Sequence, residues 1–439
     1  MRKNEISERF RSFIRAHLSP TATERTLIAT VYGAIKECLG DAKCLQIGSY
    51  PRFTAVTPVH DLDVLYVVGP WVSADINPAD ILAELRRKLL ADFKNPTPHR
   101  LELVPATHAI TMRFLSGSEE ILSVDVVPAY IYGRNEFKDE MYVVPELVLR
   151  GRRARRRLYD EVARGAHVMQ WIKSDPRGYI AIAAQRDQRN DDFRKSVKFV
   201  KAWRTSCKDM DESFPLKSFH IEQAVGGYFD THLDCDIFDA VYEFFCDLPD
   251  LIRSARYPDR ADRRKKIDEY VERLTDADRT LVDQARDCFL IKLEAIEDSV
   301  NIGDLLTACQ RERASIVEEY LFDSRIPVLT EERIRITATV LPRQGGFRAY
   351  VLNALGLIDV DRKIEFRLRG ELPTGCTLSW KVKNDDSSTQ PRGEITEHRT
   401  YSDPEHTKFR GSHYVECYAV RKGVCIARVR QAVVLREGQ

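Results

Sequence analysis

The spacing of apolar residues along the chain changes character three times. Over residues 6–39 they recur every three or four positions and Pro20 interrupts them, which predicts two helices or one broken helix. Between residues 44 and 127 they form short runs typical of strands, with one amphipathic helix at roughly 79–92 among them. The predicted strands are CLQI (44–47), LDVLYVV (62–68), LELV (101–104), AITMRFL (109–115) and ILSVDVV (121–127).

A second helical stretch and a final set of strands complete the pattern. Residues 190–325 have helical spacing, in segments such as DFRKSVKFVKAWR and DIFDAVYEFF. From residue 330 onward, apolar and polar residues alternate in short segments separated by Gly, Pro, Asn and Asp, which indicates a β-sandwich. We therefore predict an α+β protein whose three domains are residues 1–185, 186–325 and 330–439.

Composition narrows the functional classes. A chain of 439 residues is too long for one ordinary core, in agreement with two or three domains. Its 68 Lys and Arg nearly balance its 67 Asp and Glu, so net charge predicts no general affinity for nucleic acid or membrane. No apolar run approaches the length of a membrane-spanning helix. The ten scattered cysteines, with no C-x-x-C pair, predict a reducing cytoplasm and no structural zinc site.

Three acidic residues carry the candidate chemistry. Asp61 and Asp63 begin an apolar strand, and residues two apart on a strand face the same side. Two carboxylates so close repel each other unless a cation lies between them, and Mg²⁺ prefers oxygen ligands. Asp125 is the lone charge in the later strand LSVDVVP, and an adjacent strand could bring it to the same place. The alternative for each is a strand-end residue in solvent or a turn cap.

A Gly-Ser turn precedes the acidic pair. Gly48 would let the backbone approach a phosphate closely, and Ser49 offers a hydroxyl and a backbone N–H. Pro51 suits the first turn of a short helix whose N-terminus would face the same anion. The alternative is an ordinary strand-to-helix turn with Ser49 as the N-cap.

These motifs together resemble a known family. Gly-Ser, about a dozen residues, Asp-hydrophobic-Asp and a third strand Asp are similar to the polymerase-β-like nucleotidyltransferases. Within them, GSYPRFTAVTPVHDLDVLYVV most resembles the bacterial CD-NTases, relatives of cyclic GMP-AMP synthase and oligoadenylate synthase. The segments VVP (143–145) and WIKSDP (171–176) also resemble the family, and the resemblance covers roughly residues 1–325.

The resemblance implies roles for particular residues. Segments VKFVKAW (197–203) and LKSFHIE (216–222) resemble the family's helix pair, in which a Lys and a Ser hold the donor triphosphate. Asp61, Asp63 and Asp125 would be the catalytic carboxylates and would bind two Mg²⁺ ions, with Mn²⁺ as an alternative. The residues that would bind the nucleotide are Gln46, Gly48, Ser49, Lys201 and Ser218. From spacing alone, Lys201 could equally lie on a solvated helix face and Ser218 could be an N-cap.

The last segment, 330–439, resembles the AGS-C sensor domain attached to some of these bacterial enzymes. The stretch HYVECYAVRKGVCIARVRQAVV, with Trp380 and Gly393-Glu-Ile before it, carries that likeness. The implied fold is a polymerase-β-like nucleotidyltransferase core (1–185) with a helical layer (186–325) completing the nucleotide pocket, followed by an all-β immunoglobulin-like sandwich. A module that only packs on the enzyme is the alternative to a ligand sensor.

The resemblance also implies an activity. The protein would be a cytoplasmic enzyme that joins nucleoside triphosphates, ATP and/or GTP, into a cyclic di- or trinucleotide with release of pyrophosphate, in bacterial anti-phage (CBASS) signalling. Its partners would be an activating ligand or protein and a separate effector that reads the product, with no membrane. Two alternatives stay open: transfer to another acceptor (a tRNA end, a protein hydroxyl or a small molecule such as an antibiotic), or an inactive nucleotide-binding sensor.

One segment departs from the family pattern. Six arginines lie between residues 150 and 157, in a connection longer than the family leads us to expect. Such a run is usually a solvated segment. The alternative is a flap near the active site that meets phosphates or an activating nucleic acid, because guanidinium groups match phosphate oxygens.

Overall fold

The computed structural model describes residues 2–73, 76–106, 108–147, 169–296, 301–313, 315–342, 348–353, 356–397 and 404–436. Its first two elements are helices α1 (Arg2–His17) and α2 (Ala22–Leu39), so the predicted interruption near Pro20 separates two helices. Thr21 caps α2, because its hydroxyl accepts a hydrogen bond from the Glu24 amide while the Glu24 carboxylate accepts one from the Thr21 amide.

A mixed sheet follows, interrupted by helix α3 (Pro78–Asp92). Its strands are β1 (Cys44–Ile47), β2 (Asp61–Pro70), β3 (Arg100–Pro105), β4 (Ile110–Ser116), β5 (Glu119–Arg134), β6 (Glu140–Leu147) and β7 (Met169–Ser174). The sheet order is β1-β2-β5-β4-β3, and β6 joins β5 and β7. β2 and β5 run parallel, whereas their other neighbours pair antiparallel. The five predicted strands and the helix at 79–92 are confirmed.

One face of this sheet is closed by α2 and α3. Their apolar residues form a single core with the strand residues that point the same way, including Leu62, Val64, Val124 and Val126. Because side chains alternate along a strand, the residues between them face the opposite side of the sheet. That second face lies toward the helices that come next.

The helical layer comprises α4 (Pro176–Arg189), α5 (Asp192–Met210), α6 (Ser218–Thr231), α7 (Ile237–Leu251), α8 (Asp276–Glu294) and α9 (Ile302–Leu306), with short 3₁₀ turns at Glu269–Arg273 and Leu321–Ser324. Aromatic side chains dominate its core: Phe245 stacks on Phe289 with ring centroids 3.7 Å apart, and Trp203 meets Phe245 edge-on at 4.7 Å. α1 belongs to the same core through Ile6 and Phe10. The chain therefore passes from the helical layer to the sheet between α1 and α2.

The C-terminal part is a two-sheet sandwich. Its strands are β8 (Arg335–Val340), β9 (Tyr350–Val351), β10 (Leu357–Asp359), β11 (Lys363–Arg369), β12 (Thr377–Lys383), β13 (Ile395–Thr396), β14 (Glu405–His406), β15 (Gly411–Arg421) and β16 (Val424–Arg436). One sheet has the order β10-β16-β15-β12-β13 and the other β14-β11-β8-β9. Phe366 of the second sheet packs with Trp380 and Cys417 of the first in one core. The predicted sandwich is confirmed.

The structure pairs two of the ten cysteines, which the sequence analysis did not predict. A disulfide joins Cys288 of α8 to Cys309, whose Cα atoms lie 5.9 Å apart, and the other eight cysteines are free. A separation of 21 residues without a motif gave no signal of this pairing, because folding of the segment after α9 against α8 brings the two together. Among the helices of the described residues, none is both long and apolar enough to span a membrane.

Candidate active site

The acidic pair lies at the start of β2. Leu62 and Val64 point into the core formed with α2 and α3, so Asp61 and Asp63 project from the opposite face, toward the helical layer. Asp61 is exposed and Asp63 is half-buried. The alternation expected from the sequence therefore places both carboxylates on one side of the sheet.

The third carboxylate lies on the neighbouring strand. In the parallel pairing of β2 with β5, Asp63 is directly opposite Asp125, and Asp61 is opposite Ser123. Residues in register on adjacent strands have side chains on the same face. The three predicted carboxylates thus share one face of two hydrogen-bonded strands.

Hydroxyl groups and charge shape this cluster. The Ser123 hydroxyl donates a hydrogen bond to Asp61 Oδ1 at 2.9 Å, and the Thr111 hydroxyl donates one to Asp125 Oδ1 at 2.5 Å. Burial, together with the negative charge of Asp125, raises the pKa of the Asp63 carboxyl to about 6. The folded protein thus disfavours ionisation of Asp63, and a cation bound beside it would offset that cost.

The cluster suits a hard divalent cation in its chemistry. Carboxylate and hydroxyl oxygens lie on the shared face, and Mg²⁺ prefers such ligands. Within the described residues, no group of three His, Cys, Asp or Glu side chains is arranged to hold a metal ion, Asp61, Asp63 and Asp125 included. Asp61 and Asp125 instead accept hydrogen bonds from Ser123 and Thr111. In its oxygen chemistry the cluster fits an ion that takes few ligands from protein and the rest from phosphate and water.

Gly48 lies against the carboxylate of Asp63. Its φ of +78° is in the region that favours glycine, and a Cβ built at this position would lie 2.8 Å from Asp63 Cγ and overlap its Oδ2. Any other residue would push on the central carboxylate. The Gly-Ser turn predicted to approach a phosphate is thus in direct contact with the acidic cluster.

The chain after Gly48 forms turns, and the short helix predicted at Pro51 is wrong. The Thr54 amide donates to the Ser49 carbonyl at 3.0 Å and the Phe53 amide to the Tyr50 carbonyl at 2.9 Å. These bonds close consecutive turns without starting a helix. Ser49, adjacent to Gly48, is therefore in a turn rather than at a helix N-cap.

A buried ionic network, which the sequence analysis did not identify, holds this loop. Glu222 of α6 is 1% exposed and accepts hydrogen bonds from Arg52 Nε at 2.5 Å, Lys201 Nζ at 2.7 Å and the Thr54 hydroxyl at 2.8 Å. Burial alone would raise the pKa of Glu222, but the charges of Lys201 and Arg52 lower it to about 2. The loop after β1 is thus fixed to α5 and α6 by one ionised carboxylate.

The remaining predicted nucleotide-binding residues have different positions. Lys201 is 6% exposed, so it is not on a solvated helix face, and its Nζ also lies 3.3 Å from the Thr54 carbonyl. Ser218 is the first residue of α6, whose N-cap is Lys217. Gln46 pairs with Val64, and this register puts its side chain on the face opposite the carboxylates. The structure therefore joins Lys201 to the loop but does not bring Gln46 to Asp63.

The Arg-rich segment 150–157 lies outside the described residues. The strands on either side of it are described, and Leu147 of β6 pairs with Met169 of β7. Both interpretations of the arginines stay predictions.

Comparison with known families confirms the resemblance expected for the C-terminal part. Residues 313–436 match the family described as the Adenylyl/Guanylyl and SMODS C-terminal sensor domain. The match begins before the first sandwich strand and ends at the last residue of β16. No curated protein sequence matches the chain.

The chain is also similar to three solved structures of bacterial proteins. CdnC of Escherichia coli MS115-1 with ATP shares 16% identity over 68% of this chain and 94% of its own, with a TM-score of 0.48. DncV of E. coli in its 3′-deoxy GTP bound form shares 16% identity over 60% of this chain and 67% of its own, at 0.44. The Elizabethkingia meningoseptica CdnE cyclic dinucleotide synthase with GTP and Apcpp shares 14% identity over 52% and 78%, at 0.35.

Proposed function

We propose that this protein is a template-independent nucleotidyltransferase that joins nucleoside triphosphates into a cyclic di- or trinucleotide and releases pyrophosphate. The observation that carries the proposal is the direct opposition of Asp63 and Asp125 on parallel strands, with Asp61 on the same face. A ribose hydroxyl of one nucleotide would attack the α-phosphate of a triphosphate. Asp61, Asp63 and Asp125 would assist this transfer from that face.

The carboxylates would hold two Mg²⁺ ions, with Mn²⁺ as an alternative. Asp61 and Asp63 would hold both ions, and Asp125 would hold the ion that serves the acceptor hydroxyl. Bound there, the ions would neutralise charge that develops on the attacking and leaving oxygens. Thr111 orients the carboxylate of Asp125 through its 2.5 Å hydrogen bond. Asp125, held in this way, would help to remove the proton of the acceptor hydroxyl.

The loop that begins at Gly48 would receive the donor triphosphate. Gly48 keeps the backbone close to Asp63, so a phosphate bound by Ser49 would lie next to the carboxylates. Lys201 and Ser218 would complete the triphosphate site, and Lys201 already contacts Thr54 in the same loop. The network at Glu222 gives the loop a fixed shape, which lowers the reorganisation required on binding.

Ring formation would be a second transfer in the same pocket, with the linear product turned round. ATP and GTP are the proposed substrates, and a separate effector would read the product in cytoplasmic anti-phage (CBASS) signalling. The sensor family matched by residues 313–436 supports control of the enzyme by a ligand or protein.

The experiment is product analysis of the full-length protein with all four labelled triphosphates and either Mg²⁺ or Mn²⁺. We expect a phosphatase-resistant product whose mass identifies a cyclic nucleotide. The double variant Asp61→Asn, Asp63→Asn should make none while keeping the wild-type circular dichroism spectrum. Asp92→Asn, a carboxylate at the end of α3, is the control and should keep full activity.

Two results would count against the proposal. A product of another mass, from transfer to a tRNA, a protein or a small molecule, would keep the metal chemistry but replace the acceptor. Absence of product under every condition, with phage lysates added as a source of activator, would overturn the enzymatic assignment.

A further inference from the structure

The two sheets of the sandwich separate at one end and leave a cavity of ≈ 220 Å³. Its floor is apolar and comes from both sheets: Ile364 and Phe366 from β11, Val415 from β15 and Leu435 from β16. Beside β13 the cavity continues into a shallower groove, with which it shares Val382 and Arg392. The cavity thus reaches apolar side chains of both sheets of the sandwich.

The rim of the cavity is polar and partly basic. Lys408 and Gln390 are exposed there, and Asn384 and the half-buried ring of Phe409 complete it. Arg392 is already engaged, because its guanidinium forms two hydrogen bonds with the Glu405 carboxylate, at 2.5 and 3.2 Å. Arg392 and Glu405 balance each other, so Lys408 makes this rim attractive to an anion.

His413 fixes the wall beside Phe409. It is 7% exposed, its Nε2 lies 2.8 Å from the Phe409 carbonyl, and its Nδ1 lies 3.1 Å from the Asp385 amide. A backbone amide can only donate, so Nδ1 accepts the bond from Asp385 and Nε2 donates to the Phe409 carbonyl. The ring therefore holds Phe409 in place beside Lys408.

We propose that this cavity binds a mononucleotide. The base would pack against the apolar floor and Phe409, and its polar edge would form hydrogen bonds with the side-chain amides of Asn384 and Gln390. Lys408 would pair with the phosphate. A cavity of ≈ 220 Å³ is smaller than a typical drug-sized pocket, so it would take one base, with the sugar and the phosphate toward the rim. The proposal goes beyond the nucleotidyltransferase activity, since none of these residues belongs to the carboxylate site.

The wall of the cavity is bonded to the helical layer. Gly393, next to Arg392, accepts a hydrogen bond from the Glu319 amide at 3.0 Å. Glu318 precedes Glu319, and its carbonyl accepts a hydrogen bond from Arg313 at 3.0 Å. Arg313 also pairs with Asp287 of α8 at 2.7 Å. A ligand that displaces Arg392 would thus affect α8 through a short series of hydrogen bonds and ion pairs. This path suits a sensor that reports to an enzyme.

Binding of AMP, GMP, CMP and UMP to the full-length protein in EDTA, by isothermal titration calorimetry, tests the proposal. EDTA removes the metal on which the carboxylate site would depend. We expect at least one mononucleotide to bind below about 1 mM, and Lys408→Gln to weaken it about tenfold. Val382→Phe, which fills the cavity, should abolish it. Lys422→Gln makes the same charge change at an exposed turn and should leave binding unchanged.

Three results would overturn the proposal. One is no binding of any mononucleotide below about 1 mM. Another is binding that neither Lys408→Gln nor Val382→Phe alters. The third is equal binding of inorganic phosphate or of adenosine alone, because the site would then recognise only an anion or only a base. Each leaves the nucleotidyltransferase proposal standing, since synthesis of a cyclic product is measured separately.

Discussion

Lys201 Nζ lies 2.7 Å from Oε2 of Glu222, 21 residues further along the chain, in a contact that joins α5 to α6. Arg52 occupies the other side of the same carboxylate. One buried anion is therefore paired with two buried cations and fixes the loop that contacts Asp63. Removal of one member of such a group leaves a buried charge without a partner, which is costly.

Glu222→Gln should accordingly lower the free energy of unfolding by about 3–5 kcal/mol, because Lys201 and Arg52 lose their counter-charge. Denaturation by urea measures it. The folded pKa of Glu222 is depressed from 4.5 to about 2, so its stabilisation is present above pH 4.5 and is lost as pH falls toward 2. The difference in unfolding free energy between wild type and Glu222→Gln should therefore decrease as pH falls from 4.5 toward 2.

The control for this variant is Glu8→Gln, which removes a carboxylate that is largely exposed and pairs with Arg11. It should cost less than about 1 kcal/mol. An effect of Glu222→Gln as small as that of the control would show that the network does not contribute to stability.

Gly48→Ala should abolish or strongly reduce nucleotide transfer, because the added methyl group overlaps the carboxylate of Asp63. Gly423→Ala is a matched control: its φ is +77°, against +78° at Gly48, and nothing lies within 4 Å of its added Cβ. Both variants should lose about 1 kcal/mol to backbone strain. Only Gly48→Ala should lose activity, measured as product formed per hour. Equal activity in the two variants would contradict a role for this contact.

Glu294→Gln should stabilise the protein at alkaline pH. Burial raises the pKa of Glu294 from 4.5 to about 7, although Arg428, whose Nη1 is 3.6 Å from Oε2, opposes the rise. The folded state therefore favours the protonated form, and wild type loses stability as pH rises from 4.5 through 7. The variant should be more stable than wild type by up to about 3 kcal/mol at pH 8.

At pH 4.5 that advantage should disappear, since wild type is then protonated at this site. Thermal unfolding at both pH values measures the difference, and Glu269→Gln, at an exposed residue, should show no such pH dependence. A variant less stable than wild type at pH 8 would show that the pair with Arg428 outweighs the cost of burial.

Arg313→Lys should loosen the junction between the helical layer and the sandwich. The guanidinium contacts Asp287 at 2.7 Å, Asp323 at 2.8 Å and the Glu318 carbonyl at 3.0 Å, and an ammonium cannot match these three directions at once. Amide hydrogen exchange should accelerate in residues 315–325, with no change in β2 and β5. Unchanged amide exchange in residues 315–325 would contradict a structural role for the Arg313 guanidinium.

The sequence was sufficient to predict that Asp61, Asp63 and Asp125 share one face of the sheet, but not which residues support that face. Alternation in β2 placed Asp61 and Asp63 on one face, and the isolation of Asp125 among apolar residues marked it as their partner. The register that sets Asp125 opposite Asp63 depends on pairing between strands 62 residues apart, which no local pattern encodes. Nor could helical spacing show that Lys201 is buried, because its burial depends on Glu222 in the next helix.

Two local errors have a common cause. Pro51 suited a helix start, but the Thr54 hydroxyl is bonded to Glu222 and the Thr54 amide to Ser49, so tertiary contacts close the chain into turns there. Cys288 and Cys309 carried no pairing signal, because only the docking of the segment after α9 brings them together. Elements with strong periodicity were predicted correctly, whereas loops fixed by distant partners were not.

The parallel pairing of β2 with β5 sets an order of events during synthesis on the ribosome. Asp61 and Asp63 emerge early, but β5 can reach its place only after α3, β3 and β4 have been made, because the chain must return to the same end of the sheet. A nascent chain that stops before Asp125 thus has β1 beside the two carboxylates but lacks β5 on their other side. The face that carries all three carboxylates is therefore completed late, after α2 and α3 have been synthesised.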